Sequence, residues 1–126
     1  MSEMRIGPIF VQGVPAPFAT GREKEWRQTV ADRMNTAWGG RSHIRQACEM
    51  RLLFRLSPNK AIVTDVDNLL KATIDGAGSA LFAPARDGHQ VPWNTEDHWI
   101  FRLVAEKVPE GDPARVGVEI TVTELS

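Results

Sequence analysis

The sequence predicts an α+β fold: a single domain over residues 1–126 in which two main helices pack on a mixed β-sheet. Three observations carry that expectation. A chain of 126 residues suits one domain and is long enough to bury a core without covalent staples. Apolar residues recur with a period of two in some segments and of about four in others. The segments follow one another as strand, helix, strand, helix, strand, strand, with no internal repeat and no low-complexity run.

RIGPIFVQG reads as the first strand, closed by Gly13 and a loop that holds Pro15 and Pro17. Thr20 and Glu23 stand at capping-box spacing before a helix through REKEWRQTVADRMNTAW. Trp26, Val30, Met34 and Trp38 form its apolar stripe, and Gly39-Gly40 stops it. QACEMRLLFRLSP alternates as a strand: Met50, Leu52, Phe54 and Leu56 on one face, Arg51 and Arg55 on the other. Ser57-Pro58-Asn59 has turn chemistry. A second helix is expected from about Val66 to Leu81, with Leu69, Leu70, Thr73, Ile74 and Ala77 facing the core and Gly76 and Gly78 weakening its later half. Residues 83–96 form a long polar loop, a length that is often functional. DHWIFRLVAEK then reads as a strand with Trp99, Phe101 and Leu103 alternating, PEGDPA as a turn, and RVGVEITVTEL as the last strand, with Val116, Val118, Ile120 and Val122 on one face.

Bulk properties exclude several classes. The hydrophobic fraction of 42% and charged fraction of 25% are those of an ordinary globular protein. No run approaches the roughly 20 apolar residues a membrane helix needs. The opening MSEMRIGPIF has no long apolar core or cleavage pattern, so no signal peptide is expected. Cys48 is the single cysteine, which rules out an intrachain disulfide and fits a buried small hydrophobe in a reducing cytoplasm. A formal net charge of −1 does not advertise nucleic-acid binding. Its distribution is uneven: Arg41, Arg45, Arg51, Arg55 and Lys60 face one acid, Glu49, within residues 41–60, and the acids gather later at Asp65, Asp67, Asp75, Glu96 and Asp97. Solvated faces explain this, and so do phosphate contacts beside a metal site.

The chemistry concentrates in TDVDNLLKATIDG, residues 64–76. Asp65 and Asp67 straddle a helix start, and Asp67, Lys71 and Asp75 step by four along one face. Two readings stand side by side. In the first, these are helix-start acids worth about 0.3–1 kcal/mol each against the macrodipole, an N-cap, and i,i+4 ion pairs worth roughly 0.2–0.5 kcal/mol. In the second, two carboxylates and one ammonium converge to hold a hard cation such as Mg²⁺ against a phosphate. A third acid from Glu96-Asp97 would make the cluster intelligible mainly as a cation site, because converging carboxylates repel.

DVDNLLKATIDG, the acidic pair Glu96-Asp97 and HWIFRLVAEK together resemble the RusA family of Holliday junction resolvases. That family reads D-x-D-N-x-x-K-x-x-x-D, then an acidic pair, then a strand ending in lysine. Asp65, Asp67, Asn68, Lys71 and Asp75 fall in register with it, Asp97 with the second acid of the pair, and Lys107 with the terminal lysine. The opening IFVQGVPAP is also similar to the family's start. The resemblance implies a RusA-like fold and a homodimeric endonuclease that cuts four-way DNA junctions, in recombination and repair, with Mg²⁺ or Mn²⁺. It implies that Asp65, Asp67 and Asp97 are catalytic acids holding the metal and that Lys71 is the catalytic lysine, with Asn68, Asp75 and Glu96 supporting. Arg41, Arg45, Arg51, Arg55, Lys60 and Lys107 are then expected to contact DNA by gathering on one face. Two other functions suit the same residues: a relative that binds nucleic acid without cutting it, and a nuclease acting on other branched DNA.

His43, His89 and His98 lack metal-ligand spacing among themselves, although His98 adjoins Asp97. Trp93 and Trp99 are candidates for stacking on unpaired bases or for packing, and Phe18 for packing.

Overall fold

The computed structural model describes residues 4–17, 21–85 and 93–125. Strand β1 (Arg5–Gln12) leads to helix α1 (Glu23–Trp38), strand β2 (Cys48–Leu56), the short helix α2 (Pro58–Val63) and helix α3 (Val66–Leu81). Strands β3 (Ile100–Pro109) and β4 (Gly117–Glu124) complete the chain. The expected α+β class holds: one four-stranded mixed sheet has the order β1-β4-β2-β3. β4 runs antiparallel to both β1 and β2, and β3 runs parallel to β2. β1, β2 and β3 therefore point the same way, with β4 reversed between the first two.

The sheet is two-faced because its sequence alternates. Met50, Leu52, Phe54 and Leu56 of β2 and Val118, Ile120 and Val122 of β4 are buried in one core with the helices. Trp26, Val30, Met34 and Trp38 of α1 enter that core, as the four-residue spacing requires. So do Leu69, Ala72, Ala77 and Leu81 of α3, with Leu70 and Ile74 packed at its border. The Trp26 indole N–H donates to the Thr73 hydroxyl at 2.9 Å, and that hydroxyl donates to the Leu69 carbonyl at 2.9 Å, so the polar atoms at the α1–α3 seam are satisfied. The other sheet face is open and charged. There Arg55 pairs with Glu119 at 2.6 Å and Glu110 at 3.6 Å, and Arg51 pairs with Glu49 at 3.1 Å.

Gly76 and Gly78 let α3 be approached closely. A Cβ at Gly76 would stand 2.6 Å from the Arg27 carbonyl oxygen, and one at Gly78 would stand 2.8 Å from the Thr95 hydroxyl. The first contact sets the α1–α3 spacing, and the second docks the returning chain before β3.

Several boundaries differ from the sequence expectation. Arg22 occupies the N-cap position of α1 and Glu23 is its first residue; Thr20 lies outside the described residues. Ser57-Pro58-Asn59 opens α2 instead of only turning, because proline suits the first helical position. Asp97–Trp99 is a 3₁₀ turn, and β3 begins after it at Ile100. The expected apolar face of β3 is also more exposed than its alternation suggests. The β2–β3 register slips between Cys48 and Glu49, Phe101 is 70% exposed, and Leu103 is also exposed. Val116 precedes β4 and is half-buried. His89 and Phe18 lie outside the described residues.

Candidate functional site

α3 starts where the chain leaves the carboxyl end of β2 through α2. Asp65 holds the N-cap position in extended conformation, yet its carboxylate makes no cap hydrogen bond. Asn68 N–H reaches only the Asp65 backbone carbonyl, at 3.2 Å. Asp67, in the first turn, is exposed as well. Neither carboxylate has a hydrogen bond or an ion pair among the described residues. Of the capped-helix reading, Asp65 at the N-cap position, Asp67 in the first turn and the Lys71–Asp75 pair are present, while a side-chain cap bond and an Asp67–Lys71 pair are absent among the described residues.

Two ammonium groups flank them. The Lys107 Nζ donates to the Thr64 carbonyl at 2.7 Å, which ties the end of β3 to the residue before Asp65. A lysine ammonium has three N–H donors, so this contact leaves donors free beside Asp65. Lys71 lies one turn beyond Asp67 but pairs the other way, with Asp75 at 3.3 Å. Its side chain is mostly exposed, so the pair is a weak tether.

Asp75 is a different kind of acid. It is buried, and burial pushes its carboxyl above the ordinary carboxylate value. The Lys71 and Arg27 charges oppose that rise, and Asp97 adds to it. Asp97 is thus near enough for its charge to be felt at Asp75. It is exposed on the 3₁₀ turn before β3, with Glu96 half-buried behind it and His98 exposed after it. Glu96 N–H donates to the Ala83 carbonyl at 2.8 Å, which closes the loop of residues 83–96 at its base. Among the described residues, no three His, Cys, Asp or Glu side chains form a group that can hold a metal ion. Asp65 and Asp67 are together at the head of α3, and Asp97 does not complete a three-acid group with them.

A contact absent from the sequence reading holds this region. The Arg27 guanidinium lies 4.6 Å from the centroid of the Trp93 ring. Arg27 comes from the first turns of α1 and Trp93 from the loop before Asp97, so the stack joins the returning chain to both helices. No spacing in the sequence pairs residues so far apart. Trp93 is thus a packing residue, and so is Trp99, which lies against the core.

The six basic candidates do not gather on one face. Arg51 and Arg55 lie on the open sheet face and are neutralised by glutamates there. Arg41 and Arg45 flank Ile44, whose N–H donates to the Leu81 carbonyl. That places them at the far end of α3, roughly 24 Å from Asp65. Lys60 on α2 and Lys107 remain at the end of the sheet that carries Asp65 and Asp67. Cys48 is buried, and burial with nearby Glu124 pushes its thiol up to about 11, which suits the small-hydrophobe reading.

No known family model and no curated protein matches this chain.

Proposed function

We propose that the chain is a divalent-cation-dependent endodeoxyribonuclease that hydrolyses phosphodiesters in four-way DNA junctions. One observation carries the reading: among the described residues Asp65 and Asp67 stand unpaired and exposed at the head of α3, with Lys107 bonded to the carbonyl of the preceding Thr64 and Lys71 one turn beyond Asp67. The resemblance of residues 65–75 and 96–107 to RusA-type resolvases gives that arrangement its chemistry.

The donor set suits Mg²⁺ or Mn²⁺. Both ions prefer carboxylate oxygen, and Mg²⁺ is commonly held by one or two carboxylates with water and phosphate oxygen completing the shell. Asp65 and Asp67 would hold the ion, with Asp97 as the third acid that the resemblance implies. The bound ion would lower the pKa of an attacking water and offset charge on the phosphate. Lys107 is anchored on Thr64 and directs its remaining donors at a phosphate entering beside Asp65. Lys71 leaves Asp75 and meets the negative charge that develops on the scissile phosphate. Asp75 stays buried and returns Lys71 to its place. Asn68, on the same helix turn, supports the acids. A homodimer would set two such sites across a two-fold axis, which suits paired cuts in a near-symmetric junction.

A panel of four-way, forked, flapped and single-stranded DNA, incubated with Mg²⁺ or Mn²⁺, tests the substrate. The four-way junction is expected to be cut fastest. Faster cutting of flaps or forks would move the assignment to other branched DNA. Among the described residues Asp97 forms no three-acid group with Asp65 and Asp67, which favours a second reading, a junction-binding protein without cleavage. Retained junction binding with no cutting in either metal would establish that reading instead.

A further inference from the structure

The connection from α1 to β2, residues 39–47, walls a cavity of about 420 Å³ together with the end of β4. Three backbone bonds fix these walls. Ile44 N–H donates to the Leu81 carbonyl at 2.8 Å, Leu125 N–H to the Ala47 carbonyl at 2.9 Å, and Glu124 N–H to the Met4 carbonyl at 2.9 Å. Arg41, His43 and Arg45 line the cavity, and among the described residues no carboxylate pairs with either arginine. Arg51, Arg55 and Arg115, by contrast, are all paired with glutamates. The Arg41 guanidinium lies over the Trp38 ring, 5.7 Å from its centroid. Stacking of this kind leaves the N–H edge of a guanidinium available. Trp38 also lines the cavity, and its indole N–H is buried with no acceptor among the described residues. The fold gives the Trp26 indole an acceptor, Thr73, and gives Trp38 none there. Buried donors without a protein partner are commonly completed by an ion or a water. Glu124 is the single acid on the cavity wall, and the two guanidiniums outweigh it.

We propose that this cavity binds a small organic phosphate monoester, with Arg41 and Arg45 holding its phosphate. A monoester carries about −1.5 to −2 charge at neutral pH and three strong acceptor oxygens. Guanidinium forks match phosphate oxygens in pairs, and two forks meet here. The Ser42 hydroxyl and the His43 imidazole, on the same connection, are further donors to the same group. A carboxylate ligand has two oxygens and one charge, and a phosphodiester has one charge, so each would leave more of this donor set unused. The volume lies within the range of small-molecule sites, about 300–1,000 Å³, so an organic part of nucleotide size fits beside the phosphate. The cavity adjoins the Leu81 end of α3, and Asp65 and Asp67 are at the other end. The site therefore stands whether or not the chain cuts DNA.

Proton–nitrogen NMR of the full chain reads the outcome at the indole N–H groups of its four tryptophans. The Trp38 signal is assigned by its absence in Trp38→Phe. Titration with adenosine 5′-monophosphate is expected to shift that signal. Adenosine and dimethyl phosphate should bind at least about tenfold more weakly, since one lacks the phosphate and the other its second charge. Arg41→Ala and Arg45→Ala should each weaken the nucleotide about tenfold or more, and Arg51→Ala, on the open sheet face, should not. Arg41 and Arg45 are exposed, and unchanged circular dichroism would confirm that their variants fold. A 5′-phosphorylated oligonucleotide and its 5′-hydroxyl counterpart are then tested as competitors. Displacement by the first alone makes the ligand a strand end, and displacement by neither makes it a free phosphate ester. Displacement by both would place a phosphodiester backbone in the cavity and overturn the monoester. An unmoved Trp38 signal would also overturn the site, as would equal binding of adenosine or dimethyl phosphate, or full affinity in either cavity-arginine variant.

Discussion

Asp75 and Asp67 are two turns apart on one helix, yet they sit in opposite environments. Asp67 is exposed and unpartnered among the described residues, and Asp75 is buried, paired with Lys71 and within reach of the Arg27 and Asp97 charges. Asp75's folded-state value is raised, so its stabilising contribution is complete below the unfolded carboxylate value and is lost as pH rises through the raised one. At neutral pH the buried charge opposes folding, and the exposed Lys71 pair returns little of that cost. Asp75→Asn is therefore expected to melt higher than the wild type near neutral pH. The gap should narrow as pH is lowered toward about 4, where unfolded carboxylates take up protons. Calorimetry of both proteins across that range checks it; a gap that widened on acidification would contradict the assignment. The sequence displayed the two acids at the helix start, because i and i+2 spacing across a strand-to-helix junction is local. It could not display the Arg27–Trp93 stack or the depth of Asp75, which depend on how α1, α3 and the returning loop pack.

At the level of elements, local pattern and tertiary packing divide the credit. α3 spans the expected residues, Val66 to Leu81, because its apolar period is unbroken. β2 shows the expected parity for the same reason, with Met50, Leu52, Phe54 and Leu56 inward. β3 is legible only in part. Its alternation of Trp99, Phe101 and Leu103 predicts an inward face, and Leu103 does stand across from inward Met50, but Phe101 is the extra residue of a register slip and no strand among the described residues lies outside β3, so both side chains stay exposed. A bulge is a property of two strands, and one strand's sequence does not announce it. Gly76 shows the same division. Helix propensity favours Gly76→Ala by about 0.5–1 kcal/mol. The new methyl would meet the Arg27 carbonyl, a backbone atom that cannot swing aside, and overpacking of that kind costs about 1–3 kcal/mol. Packing wins, so Gly76→Ala is expected to lose stability in urea unfolding; a gain would mean that the α1–α3 seam is looser than its geometry.

Over the whole molecule, charge is sorted by face. The open sheet face uses Arg51 and Arg55 in glutamate pairs, and the α2–α3 end keeps Lys60, Lys71 and Lys107 near the unpaired acids. If the proposed function holds, about three phosphate contacts per chain are expected, and the logarithm of the junction association constant should fall with the logarithm of salt with a slope of about −3 per chain. Fluorescence anisotropy of a labelled junction measures it. Arg51→Ala and Arg55→Ala should leave the slope unchanged, and a shallower slope in either would return the open face to the binding surface. A net charge of −1 fits this economy, since few cations are needed if they are placed at one end. The measurement that bears most directly on the proposed function is four-way-junction cleavage in Mn²⁺ by the wild type and by Asp67→Asn, with binding followed in parallel. The expected result is a loss of cutting of at least about a hundredfold, the scale of lost transition-state charge stabilisation, with junction affinity retained. Cutting by Asp67→Asn at the wild-type rate would show that the head of α3 is not the site of the chemistry.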